Sequence, residues 1–148
     1  MFKRKRNALL LKKTEDLIKS LNKNEVDFVI IGRTARLLQT GEMATFDVDI
    51  AIRPTESNAK KTQQVLKTFG SNVSPVRIED LLKKRIQRDI LITDLCPYPL
   101  KKTYIFRILN GISFDQVWGN KVKKKYGNTP VYCASLDDLE RMEKGFNL

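Results

Sequence analysis

Asp47 and Asp49 stand two residues apart in FDVDIAI, residues 46–52. As a strand, this segment turns both carboxylates to one face together with Ala51, while Phe46, Val48, Ile50 and Ile52 share the other. Two like charges a few ångströms apart repel unless a cation lies between them. An all-oxygen donor pair suits a hard ion, Mg²⁺ or Mn²⁺. Ions so held can bridge the carboxylates to a triphosphate and assist an attack on phosphorus. A bare Asp-x-Asp is more often an edge strand with a solvated acidic face, so the surrounding residues must decide. The chain has no histidine, which leaves acid–base work to carboxylates, Lys, Tyr or a bound ion. Cys96 and Cys133, the only cysteines, are too few for the usual zinc sites without histidine and read as ordinary reduced thiols.

The elements that must position this pair follow from periodicity. Residues 8–22 space Leu10, Leu11, Leu17, Ile18 and Leu21 as an amphipathic helix. VDFVII, residues 26–31, reads as a buried strand running into Gly32. A short helix over 33–40 is closed by Gly41, and the acidic strand over 46–52 ends at Pro54. Helices are expected over 56–69, 77–86 and 113–120, with strands over 88–95 and 103–109. Residues 121–126 and 130–133 read as a hairpin around Gly127-Asn128, and a last helix starts at Ser135 with Asp138 three residues on. The expected fold class is α/β (α+β), a small mixed sheet flanked by helices, in one domain over residues 1–148 with a basic, frayed stretch at 1–7.

Residues 29–52, VIIGRTARLLQTGEMATFDVDIAI, resemble the signature of the DNA polymerase β-like nucleotidyltransferase superfamily. There an apolar strand enters a Gly-Gly or Gly-Ser turn. A short helix with an early alanine follows, then a glycine and Thr-x-Asp-x-Asp. Gly32-Arg33, Ala35, Gly41 and Thr45 to Asp49 occupy those places. Gly111 to Trp118, GISFDQVW, resembles a stretch of the small bacterial and archaeal members, and residues 130–142 resemble their closing strand and helix. The resemblance implies that Asp47 and Asp49 hold the metal, that Gly32 and Arg33 contact nucleotide phosphate, and that an NTP is the substrate. A glycine between strand and helix suits that role, since backbone N–H groups can approach an anion there.

Two departures bear on activity. Arg33 replaces a small residue, and could either pair with phosphate or obstruct it. The family's third carboxylate has no unique counterpart. Asp89 takes the place if the extra residues follow Leu95, Tyr104 takes it if the count runs back from Gly111, and Asp94 is a further candidate of opposite strand parity. Larger relatives continue beyond the final helix, so the sequence reads as a minimal enzyme, one partner of a complex or a decayed copy.

The balance of 28 basic to 17 acidic side chains gives a formal net charge of +11, which favours a polyanionic partner such as RNA or tRNA. Lys3 to Arg6 and the lysines at 121 and 123–125 are candidate contacts. No apolar run approaches the ~20 residues of a membrane span, and the basic start lacks a secretory core. A cytoplasmic protein with no membrane partner is expected. The leading expectation is metal-dependent transfer of an NMP group from an NTP to an acceptor hydroxyl on RNA, tRNA or a partner protein. By resemblance that partner could belong to a toxin–antitoxin module. The alternative is a catalytically inactive module of the same fold that binds RNA or protein.

Overall fold

The computed structural model describes residues 12–41, 48–69, 77–82, 85–92, 100–107, 109 and 112–146. Helices α1 (Lys12–Lys23), α2 (Gly32–Thr40), α3 (Glu56–Phe69), α4 (Ile78–Leu81), α5 (Phe114–Gly119) and α6 (Leu136–Phe146) accompany strands β1 (Phe28–Ile31), β2 (Val48–Ile52), β3 (Arg85–Ile92), β4 (Leu100–Arg107), β5 (Val122–Tyr126) and β6 (Thr129–Cys133). The strands form one six-stranded mixed sheet in the order β3-β4-β2-β1-β6-β5. The fold is thus the expected mixed α+β type. No helix among the described residues is long and apolar enough to cross a membrane.

The apolar run of β1 is buried at all four residues, as expected of a strand covered on both faces. It pairs antiparallel with β2 and parallel with β6. Ile30, Ile50 and Ile52 join Leu17, Ile18 and Leu21 of α1 and Leu139 of α6 in the core, each at most 2% exposed. Full burial of one such side chain is worth about 1.5–3 kcal/mol.

One boundary differs from expectation. The helix expected over 77–86 stops at Leu81, and Arg85 to Gln87 open β3. Their backbone groups are taken up by an eight-residue antiparallel ladder with β4, from Arg85 opposite Arg107 to Ile92 opposite Leu100. Both strands begin about three residues earlier than expected. Local pattern in KKRIQR is ambiguous, and the non-local ladder decides.

Short-range signals elsewhere hold. Ser113 caps α5 by accepting from the Gln116 N–H at 3.1 Å, and Ser135 caps α6 by accepting from the Asp138 N–H at 3.2 Å. The Asp138 carboxylate accepts from Asn120 Nδ2 at 3.3 Å, so it reaches toward α5 as well as standing in the expected box position. Gly127 has φ +62°, as a two-residue hairpin turn with glycine first requires.

That turn is docked onto α1. Glu15 Oε2 accepts from the Asn128 N–H at 2.8 Å and from the Thr129 hydroxyl at 2.9 Å. A Cβ on Gly127 would lie 2.8 Å from the same oxygen. Burial pushes the Glu15 carboxyl up, but the Asn128 N–H, the Thr129 hydroxyl and the Lys19 charge outweigh it and hold the group below its ordinary value. A depressed acid contributes stability above its unfolded value and loses it as pH falls through the folded one. We therefore expect Glu15→Gln to lower the melting temperature at neutral pH, by about 1 kcal/mol of lost charged hydrogen bonding. The gap to wild type should close on the acid side of the ordinary carboxylate range. Thermal melts of both proteins across pH check this, and a gap that widened in acid would contradict it.

Candidate active site at the Gly32 turn

The strand that carries Asp49 lies inside the sheet. β2 is flanked by β1 and β4, and Val48, Ile50, Ala51 and Ile52 are all buried while Asp49 is half-buried. A solvated edge strand therefore does not explain this carboxylate. Residues on both faces of β2 are buried, and Asp49 is the one residue of the strand that keeps partial exposure.

Near the N-terminal end of β2, Ile31 pairs with Asp49, and the chain turns into α2 through Gly32. Ile31 is extended, with φ −125°, and makes no side-chain cap. Gly32 has φ +69°, a left-handed conformation that disfavours any other residue. A Cβ placed there would lie 2.5 Å from Oδ2 of Asp49 and 3.3 Å from its Cγ. The absent side chain is thus what lets the carboxylate sit against the start of α2, where the helix dipole favours negative charge. Thr34 and Ala35 are buried beneath this turn and Arg33 is exposed beside it. Gly41, at φ +78°, ends α2 by donating its N–H to the Leu37 carbonyl at 2.9 Å.

The other sequence candidates are placed as follows. Asp47 and Asp94 lie outside the described residues. Asp89 is on β3, opposite Thr103, and β4 separates β3 from β2. At the usual strand spacing that puts its backbone roughly 10 Å from β2. On the side away from β1 the neighbour of β2 is β4, in whose backbone register Tyr104 pairs with Val48 and Ile105 with Asp49. Its sequence, LKKTYIFR, contains no carboxylate. Among the described residues no group of three His, Cys, Asp or Glu side chains converges. The donors that could hold a hard cation are therefore Asp49 and, from the sequence pattern, Asp47, whose oxygens are of the right kind for Mg²⁺.

Two features escaped the sequence reading. Arg53, just beyond β2, donates to Asp27 Oδ2 at 2.7 Å and to Asp115. The Asp27 bond, ahead of opposing burial and the Asp115 bond, raises its already high pKa. Its guanidinium also lies 4.9 Å from the Phe114 ring centre. These contacts tie β1, β2 and α5 together at the end of the sheet opposite Gly32. The second is Tyr132, which packs edge-on to Trp118 at 5.7 Å. The two-residue turn fixes the register of Tyr132 opposite Lys123, a signal that was present in the sequence. Cys133 is a free, buried thiol, and burial pushes its pKa up to about 12, so it is no nucleophile at neutral pH.

No family model matches the chain, and no curated protein matches it. Among solved structures, it is similar to a Thermotoga maritima protein described as a "putative nucleotidyltransferase". The TM-score is 0.55 at 16% identity, over 90% of this chain and 86% of that one. The chain has a nucleotidyltransferase-like fold.

Proposed function

We propose that the Gly32 end of the sheet binds the triphosphate of an NTP and transfers its NMP group to an acceptor hydroxyl. The observation that carries this reading is the Gly32–Asp49 contact: a left-handed glycine with no room for a Cβ, at the start of a helix and against a carboxylate on an internal strand. Backbone N–H groups at the start of α2 would receive phosphate oxygens, and exposed Arg33 would pair with the outer phosphates. Asp49, with Asp47, would hold Mg²⁺ or Mn²⁺. When bound, that ion neutralises charge on the phosphates and lowers the pKa of a coordinated oxygen. The acceptor hydroxyl gives up its proton to solvent as its oxygen attacks the α-phosphorus, and the bond from that phosphorus to the pyrophosphate oxygen breaks. The net charge of +11 favours RNA as acceptor.

A second reading is favoured by one observation. β4, the strand adjoining β2, carries no carboxylate, and Asp89 would have to act from the strand beyond. On this reading the fold binds nucleotide or RNA without turning over. Incubating the protein with each α-labelled NTP, Mg²⁺ or Mn²⁺ and total RNA decides between the two. Label appearing in RNA or in a protein acceptor supports transfer. Nucleotide binding by calorimetry with no label in any acceptor supports the silent module instead.

A further inference from the structure

The hairpin formed by β5 and β6 lies at the far edge of the sheet from β3. We propose that its outward face binds single-stranded nucleic acid, with a base stacked on Tyr132 and the phosphates held by Lys123 and Lys125. The register puts Lys123 opposite Tyr132 and Lys125 opposite Pro130, so these four share one face. All four are exposed, whereas Thr129, Val131 and Cys133 of the other face are buried. Residues 121–132 contain four lysines and no acidic residue. Lys123 and Lys125 stand about 7 Å apart along the strand, a spacing an extended sugar–phosphate backbone can follow.

The aromatic ring separates this surface from an edge strand merely guarded by lysines. Tyr132 is 38% exposed, and an exposed ring would make such an edge stickier. A recess of about 220 Å³ lies beside it, lined by Asn22, Lys123, Pro130, Val131 and Tyr132. Trp118 braces the ring edge-on, and the Lys121 ammonium lies 4.8 Å from its centre and 4.1 Å from that of Trp118. A ring fixed in this way has little side-chain entropy left to lose on stacking. A duplex keeps its bases stacked internally and an acidic peptide has none, so neither uses the ring. Unpaired bases do, and stacking of this kind tolerates any sequence.

This inference stands on the hairpin alone, and Asp49→Asn protein should bind like wild type. The test is fluorescence titration with short uridine and thymidine oligomers, a matching RNA duplex and heparin, between about 50 and 200 mM salt. Trp118, the sole tryptophan, reports from beside the site. Tyr132→Ala should weaken the single strands about tenfold and leave heparin unchanged, while Tyr132→Phe should bind like wild type. Replacing Lys123 and Lys125 together by Ala should reduce the slope of log affinity against log salt by about 1.4. Unequal affinity for the two oligomers would show that the 2′-hydroxyl or the thymine methyl group is read, within the same proposal. It is overturned if folded Tyr132→Ala binds single strands unchanged, if duplex or heparin binds as tightly with the same mutational pattern, or if the double lysine variant keeps the wild-type salt slope.

Discussion

Asp49→Asn should lower nucleotide transfer roughly 10³-fold, the scale expected when a metal-binding carboxylate that stabilises transition-state charge is lost. Asparagine preserves the shape that lies against Gly32 and removes one unit of negative charge. The fold should survive, because Asp49 is only half-buried and its neighbours Val48, Ile50 and Ala51 supply the core contacts of β2. The same variant offers an independent readout. If the carboxylate helps to hold a divalent cation, Mn²⁺ or Mg²⁺ should raise the melting temperature of wild type by mass action on the native state. Asp49→Asn should lose most of that rise. Parallel melts and initial-rate assays, with circular dichroism as the folding control, measure both effects. Equal rates in the two proteins would remove Asp49 from the chemistry. Equal melting responses to the cation would remove it from the cation site.

Gly32→Val should be the most destabilising exchange at this end of the sheet. Two costs combine. A side chain in the left-handed region is penalised by about 1–2 kcal/mol. The new Cβ must also displace Asp49 Oδ2, which would lie 2.5 Å away. A total of about 2–4 kcal/mol is expected, or a fall of roughly 5–15 °C in melting temperature for a chain of this size. The costs can be separated in a cycle with Asp49→Gly. That change frees the space occupied by the carboxylate and leaves the φ penalty in place. Gly32→Ala should therefore cost less in the Asp49→Gly background than in wild type, yet remain unfavourable. Identical costs in both backgrounds would show that the close approach is not what requires glycine here.

Local features at this site were legible in the sequence because each is set by a few neighbouring residues. The apolar run ending at Gly32 is a strand entering a helix, Gly41 ends that helix, and Gly127-Asn128 makes the hairpin turn. The limits of α3 also agree, since Pro54 and Gly70 bracket it in the sequence. The order of strands was not legible. Nothing local in RIQRDILI or LKKTYIFR tells which of the two adjoins β2, because that choice rests on backbone pairing between distant segments. It matters for the chemistry, since the adjoining strand brings Tyr104 and Ile105 beside Val48 and Asp49 and leaves Asp89 farther out. Arg53 was missed for a similar reason. Its partners Asp27 and Asp115 meet it only once β1, β2 and α5 are assembled.

The place of β1 in the sheet bears on how the chain is made. β1 can pair with β2 as soon as the first 52 residues have emerged, but Ile30 finds its other partner only at Cys133. During translation one flank of Phe28-Val29-Ile30-Ile31 therefore stays without its strand while β3, β4 and α5 are synthesised, an interval of roughly ten seconds at ordinary elongation rates. An apolar flank left open for that long is a template for intermolecular pairing. Nascent chains halted before residue 129 should therefore engage holdase chaperones, and release of the full chain should end the engagement as β6 closes the gap.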